Sequence, residues 1–117
     1  MDNLELRKAA LTAAGWEARQ ITPVWTDLFD NVGEFILGGT GNVWDDAPPV
    51  ESSVDAALRW LVLGEGCNWT LASYIAGLVE PGWIARITGE GGRTVFCDTD
   101  TLAVAMCQAY LQYKAGA

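Results

Sequence analysis

Apolar residues recur at helical spacing near both ends of the chain and across its middle. Leu4 and Leu11 lie seven apart and share a face, while Ala9, Ala10, Ala13 and Ala14 raise helix propensity. The pattern predicts a short helix over residues 4–14, ended by Gly15, after which Trp16 returns the chain toward the core. Val54, Ala57, Leu58, Leu61 and Val62 follow the i, i+3, i+4, i+7, i+8 rule and predict a second helix. Ser52 or Ser53 can cap it, and Ser52 with Asp55 resembles a capping box. A third helix is predicted from Thr99 or Thr101 to Lys114. Its stripe is Leu102, Ala105, Met106, Ala109, Tyr110 and Tyr113. Val104, Cys107 and Leu111 make it apolar elsewhere too, so burial on more than one side is expected. Asp98 and Asp100 at its start and Lys114 at its end suit the helix dipole.

Between the second and third helices the period changes to that of strands. Residues 69–75 are rich in strand formers. Residues 82–88 put Trp83, Ala85 and Ile87 on one face, and 94–98 put Val95 and Cys97 opposite Phe96. Glu80-Pro81-Gly82 and Gly89-Glu90-Gly91-Gly92 supply turns, and such short links predict an antiparallel meander. Residues 17–50 are the least readable part. Residues 20–25 suit a short extended piece broken by Pro23, 27–36 have a weak helical look, and 37–50 read as a Gly- and Pro-rich loop. The expected fold is α+β. A three-stranded antiparallel sheet packs with about three helices in the order α–irregular–α–β–β–β–α. It forms one domain over 1–117, with an irregular acidic segment at 20–52.

Charge changes the picture most in that unreadable part. Residues 20–58 hold seven acids (Asp27, Asp30, Glu34, Asp45, Asp46, Glu51 and Asp55) and no Lys or Arg. Trp25, Phe29, Phe35 and Trp44 sit among them. The whole chain of 117 residues carries a formal charge of −8, with seven bases spread along it. Direct binding to DNA or RNA relies on clustered bases that release counterions from phosphates, so it is not expected. Encounter with a basic protein surface is favoured instead, more so at low salt. The composition is that of a globular chain, 50% hydrophobic and 19% charged. Trp16, Trp60, Trp69 and Trp83 are expected in the core. Trp25 and Trp44 fall outside the periodic elements and are expected to be partly exposed. The uncharged run 66–79 is 14 residues, short of the roughly 20 that a membrane-spanning helix needs. The opening residues show no signal-like apolar run. A soluble, cytoplasmic protein without a membrane role is expected, with Cys67, Cys97 and Cys107 as reduced thiols.

Several pieces together resemble a known family. They are Ser53-Val54-Asp55-Ala56-Ala57 opening a helix, the tryptophan-bearing strands at 69 and 83, and Cys97-Asp98-Thr99-Asp100-Thr101. The closing run from Leu102 to Leu111 is the most characteristic, and the short opening helix ending in Gly15-Trp16 adds to it. This pattern resembles the phage ABA sandwich domain of small tailed-phage proteins over residues 1–16 and 48–114. The resemblance implies helices packed around a small sheet and a phage origin. It implies no activity, since the resembling residues are core and cap positions.

The residue inventory argues against catalysis. Histidine is absent, which removes the usual general base and any Ser-His-Asp or Cys-His arrangement. The three cysteines lack zinc-ligand spacing. Gly38-Gly39-Thr40-Gly41 lacks the Lys-Ser/Thr ending of a phosphate loop and is followed by Asp45-Asp46, which repel phosphate. Asp45 with Asp46, or Asp98 with Asp100, could hold Mg²⁺, but a solvated loop and helix capping account for them. The expectation is a non-enzymatic protein with no cofactor and no metal. The expected role is that of an acidic, phage-encoded inhibitor of a host nucleic-acid-handling defence protein, anti-CRISPR-like as a class, with a CRISPR effector as the type of target. Asp27, Asp30, Glu34, Asp45 and Asp46 would stand in for phosphates, with Trp25 and Trp44 as anchors. The plain alternative is that these acids only keep a tryptophan-rich domain soluble. Two further readings stay open. One is a nucleotide-sequestering protein using Arg59, Arg86 and Arg93. The other is a minor virion structural or assembly protein. Homo-oligomerisation is left open in each.

Overall fold

The computed structural model describes residues 2–75, 81–89, 94–99 and 101–116. The chain is α+β. Its elements run α1 (Asn3–Ala13), β1 (Glu17–Thr22), β2 (Trp25–Phe29), β3 (Phe35–Gly39), a 3-10 helix (Val43–Asp46), α2 (Val54–Trp60), β4 (Asn68–Ile75), β5 (Pro81–Thr88), β6 (Thr94–Thr99) and α3 (Leu102–Ala115). The expected meander is present: β4, β5 and β6 pair antiparallel in sequence order. The turns expected at 80–82 and 89–92 and the cap at Asp100 fall wholly or partly outside the described residues.

The helices owe their ends to identifiable groups. Asp2 caps α1 by accepting the Glu5 N–H at 2.8 Å. Gly15 then takes φ +107°, a conformation that costs glycine little, and this lets Trp16 turn back onto Leu11. Ser53, not Ser52, caps α2, its hydroxyl accepting the Ala56 N–H at 3.2 Å. α2 is shorter than the apolar spacing predicts. It ends at Trp60, so Leu58 and Val62 stay exposed while Ala57 and Leu61 are buried. Trp60 meets Trp16 edge to face, ring centroids 5.2 Å apart.

α3 is the centre of the core. It packs against β5 and β6 on one side and against α1 and α2 on others. Ala103, Ala105, Met106, Cys107, Ala109 and Tyr110 are all buried, which explains why its apolar residues run round the helix. The Tyr110 hydroxyl donates to the Val62 carbonyl at 2.8 Å and the Cys107 thiol to the Val50 carbonyl at 3.3 Å. Burial, helped by the Glu51 carboxylate, pushes the Cys107 thiol up to about 12. Burial, helped by Tyr113, pushes the Tyr110 phenol up to about 12. Between the ordinary thiol value of 9.0 and about 12, the unfolded chain releases the Cys107 proton and the folded chain keeps it. This contribution to stability is therefore full below pH 9.0 and is lost as pH rises toward about 12. Urea melts at rising alkaline pH should show a falling midpoint, with a shallower fall in Cys107→Ala. An identical slope in that variant would remove the thiol from the account.

The segment expected to be irregular is a second antiparallel sheet, β1–β2–β3. Residues 27–36 form a hairpin, not a helix. At one end the Thr22 hydroxyl accepts the Trp25 N–H at 3.0 Å. At the other the Asp30 carboxylate accepts the Val32 and Glu34 N–H groups at 3.0 Å each, and Gly33 takes φ +83°. All six residues of β1 are exposed, and Leu28 is the one fully buried side chain of the three strands. A sheet solvated on most of both faces imposes no apolar–polar alternation. Irregularities in pairing near Thr22 and near Phe29 break what alternation remains. The chain is correspondingly elongated at 53 × 34 × 21 Å. Its radius of gyration is 15.5 Å, against about 13 Å for a compact chain of about 100 residues.

Candidate interaction site on the first sheet

Strand pairing gathers one set of side chains on the outer face of the first sheet. Glu17, Phe29 and Phe35 form one cross-strand row, and Arg19, Asp27 and Gly38 the next. Trp25 lies two residues before Asp27 and so projects from the same face. Leu28 and Leu37 face the other way, onto the core. The sheet rests mainly on the 3-10 helix, which touches both β2 and β3.

The outer face is aromatic, with charged groups among the rings. Trp25 is 42% exposed and Phe35 57%. Phe29 and Phe35 pack edge to face at 6.0 Å. The Arg19 guanidinium lies 4.4 Å from the Phe29 ring centre and pairs with Glu17 at 3.2 Å. Hydrogen bonding to Arg19 holds the Glu17 carboxyl below its ordinary value. The Trp25 indole N–H donates to the Asp27 carboxylate at 2.8 Å. Gly38 lies directly beneath this pair: a Cβ there would come 2.5 Å from the carboxylate and 2.9 Å from the indole nitrogen. Ile21 and Val24, at the β1–β2 turn, and Val32, at the β2–β3 turn, add exposed apolar side chains.

The sequence-expected anchors and acids do not converge as one group. Trp25 and Asp27 do, in direct contact. Trp44 does not, because it is only 5% exposed. It packs in the core from the 3-10 helix, where Asn42 caps the turn by accepting the Trp44 N–H. Asp30 is also buried, its carboxylate spent on the β2–β3 turn. Glu34 stays exposed beside it, and Asp45 and Asp46 are exposed on the 3-10 helix, sharing a shallow cleft with residues 37–43. Glu51 leaves the acidic stretch altogether, being 2% exposed and paired with Arg7 at 2.8 Å. Trp83, expected in the core, is partly exposed on β5.

Phe29, Phe35, Glu17, Arg19 and Gly38 gain their place only through strand pairing. Their signal in the sequence was an aromatic at each end of a Gly33-centred turn, which a helical reading of 27–36 obscures. Among the described residues no group of three or more His, Cys, Asp or Glu side chains could hold a metal ion. No described helix is long and apolar enough to cross a membrane. Compared with protein-family models, with curated proteins and with solved structures, the chain matches none.

Proposed function

We propose that this is a non-enzymatic binding protein that docks through the outer face of β1–β3 onto a basic surface of another protein. The observation that carries the reading is the exposure of Trp25 and Phe35 on one sheet face, with the Asp27 carboxylate between them in the paired strands. Exposed aromatics beside hydrogen-bonded charges are the composition of interface anchors. The field of a chain with charge −8 would speed encounter with a basic partner. Glu34, Asp45 and Asp46 contribute to that field, whereas Asp30 and Trp44 serve the fold. Basic surfaces are typical of proteins that handle nucleic acid. With the resemblance of the flanking elements to a phage domain, this makes a host defence protein, of which a CRISPR effector is the type, our choice of target.

The nucleotide-sequestering alternative has one observation in its favour. Arg59 and Lys114 line an open groove of about 600 Å³ together with Trp60. Both bases sit in the last turns of α2 and α3, where the helix dipole is negative and a base is ordinarily found. Arg86 is exposed on β5, and Arg93 lies outside the described residues.

Pull-down from host lysate at low and high salt, alongside a Trp25→Ala/Phe35→Ala variant, separates the readings. Docking through the sheet predicts basic proteins that are retained at low salt, released at high salt and held at least about tenfold more weakly by the variant. Equal retention by the variant would dismiss the sheet as the docking surface. A thermal shift with a cyclic dinucleotide, abolished in Arg59→Ala, would instead support sequestration.

A further inference from the structure

The outer face of the first sheet carries two aromatic–carboxylate pairs. In the first, Glu17 and Phe29 are cross-strand neighbours. A guanidinium of the chain itself, Arg19, serves both at once, 3.2 Å from the carboxylate and 4.4 Å from the ring centre. In the second, Trp25 and Asp27 are neighbours two apart on β2, joined by the indole hydrogen bond at 2.8 Å. One carboxylate oxygen takes that bond, and Asp27 forms no ion pair with any described base. Arg19 is the strand partner of Asp27, yet it turns the other way, to Glu17 and Phe29.

We propose that the Trp25–Asp27 pair is a receptor for an arginine side chain of the partner protein, held as Arg19 is held by Glu17 and Phe29. This deepens the docking reading and rests on it. The indole offers a flat π face, and Trp is the ring that attracts a cation most strongly. The carboxylate offers a second oxygen to a planar fork of N–H donors. Guanidinium satisfies both together. An ammonium is compact and strongly hydrated and satisfies only the charge, so arginine is favoured over lysine. Gly38 sets the geometry. Because a methyl group there would collide with both the carboxylate and the indole nitrogen, only glycine lets the pair lie across β3. The hydrogen bond fixes the indole before binding, which reduces the ordering cost that an exposed tryptophan would otherwise carry.

The test titrates nona-arginine and nona-lysine peptides into the protein, reading affinity by calorimetry and the Trp25 indole N–H by NMR, that signal being assigned from its loss in Trp25→Phe. Nona-arginine is expected to bind more tightly than nona-lysine and to shift the Trp25 signal. Asp27→Asn keeps an oxygen for the indole and removes the charge. It should weaken nona-arginine about tenfold and erase most of the preference over lysine. Gly38→Ala keeps every charge, and it should weaken binding and move the indole signal even without peptide. Glu65→Gln, at an exposed acid outside the sheet, controls for net charge. If Asp27→Asn weakens binding no more than Glu65→Gln while Phe35→Ala still does, the arginine receptor is wrong and docking through the sheet stands. If neither peptide binds, or no sheet variant alters binding, both readings fall.

Discussion

Arg7→Ala is expected to lower the unfolding free energy by about 3–5 kcal/mol, the scale for stripping one partner from a buried ion pair. Arg7 grips Glu51 along one edge of its guanidinium: Nε reaches Oε1 at 2.8 Å and Nη2 reaches Oε2 at 3.2 Å. Its remaining nitrogen, Nη1, donates to the carbonyls of Trp44, Asp45 and Ala47. The alanine variant leaves a 2%-exposed carboxylate without its cation and removes the donor shared by three carbonyls of the 3-10 segment. Because that segment supports β2 and β3, the damage should reach the first sheet. Urea melts check the figure. Arg7→Lys should recover only part of the loss, since an ammonium cannot fork and reach the carbonyls together. Arg7→Met with Glu51→Leu should recover more, because no charge is then left buried. A loss below about 1 kcal/mol in Arg7→Ala would mean that the pair behaves as a surface salt bridge.

Leu28→Ala should cost about 2–5 kcal/mol, the range for a large-to-small change at a closed core site. Leu28 is completely buried, while the other side chains of β1–β3 are exposed or half-buried. It is therefore the main apolar tie between the first sheet and the body, assisted by half-buried Leu37. The loss should be local as well as global. Amide exchange in β1–β3 should accelerate more than exchange in α3, because the sheet has little else to hold it down. Uniform acceleration across the molecule would show that the sheet and the body unfold as one unit. Peptide affinity at the Trp25–Asp27 pair should fall with the sheet's order, even though Leu28 faces away from it.

Legibility followed burial. α1, α3 and the β4–β6 meander could be read from the sequence because each presents a dry face to the core, and a dry face imposes a period. α2 was readable in position but not in length. Its stripe continued to Val62, whereas the helix stops where Trp60 swings onto Trp16, a contact no local pattern encodes. The first sheet was unreadable for the opposite reason. With one side chain fully buried in three strands, its residues answer to solvent, and solvent imposes no alternation. Its hairpin signals were present in Thr22 and Asp30, whose side chains accept backbone N–H groups, and in the positive φ of Gly33, but they matter only once the strands pair.

Trp44 and Asp30 show the same limit at single positions. An aromatic among acids reads as an exposed anchor, and an aspartate in an acidic stretch reads as surface charge. Trp44 is buried because an Asn42-capped turn points it inward, and Asp30 because its carboxylate closes a hairpin. Composition by itself determined that the chain is acidic and histidine-free, and the spacing of its apolar residues that the fold is α+β and where its three helices and C-terminal meander lie. Only the tertiary structure decided which acids are spent on the fold and which remain on the surface. Only it brought Glu17, Arg19, Asp27, Phe29, Phe35 and Gly38 onto one face. The reason is that cross-strand neighbours are fixed by backbone pairing and register, quantities that a solvated sheet leaves no trace of in its pattern of apolar and polar residues.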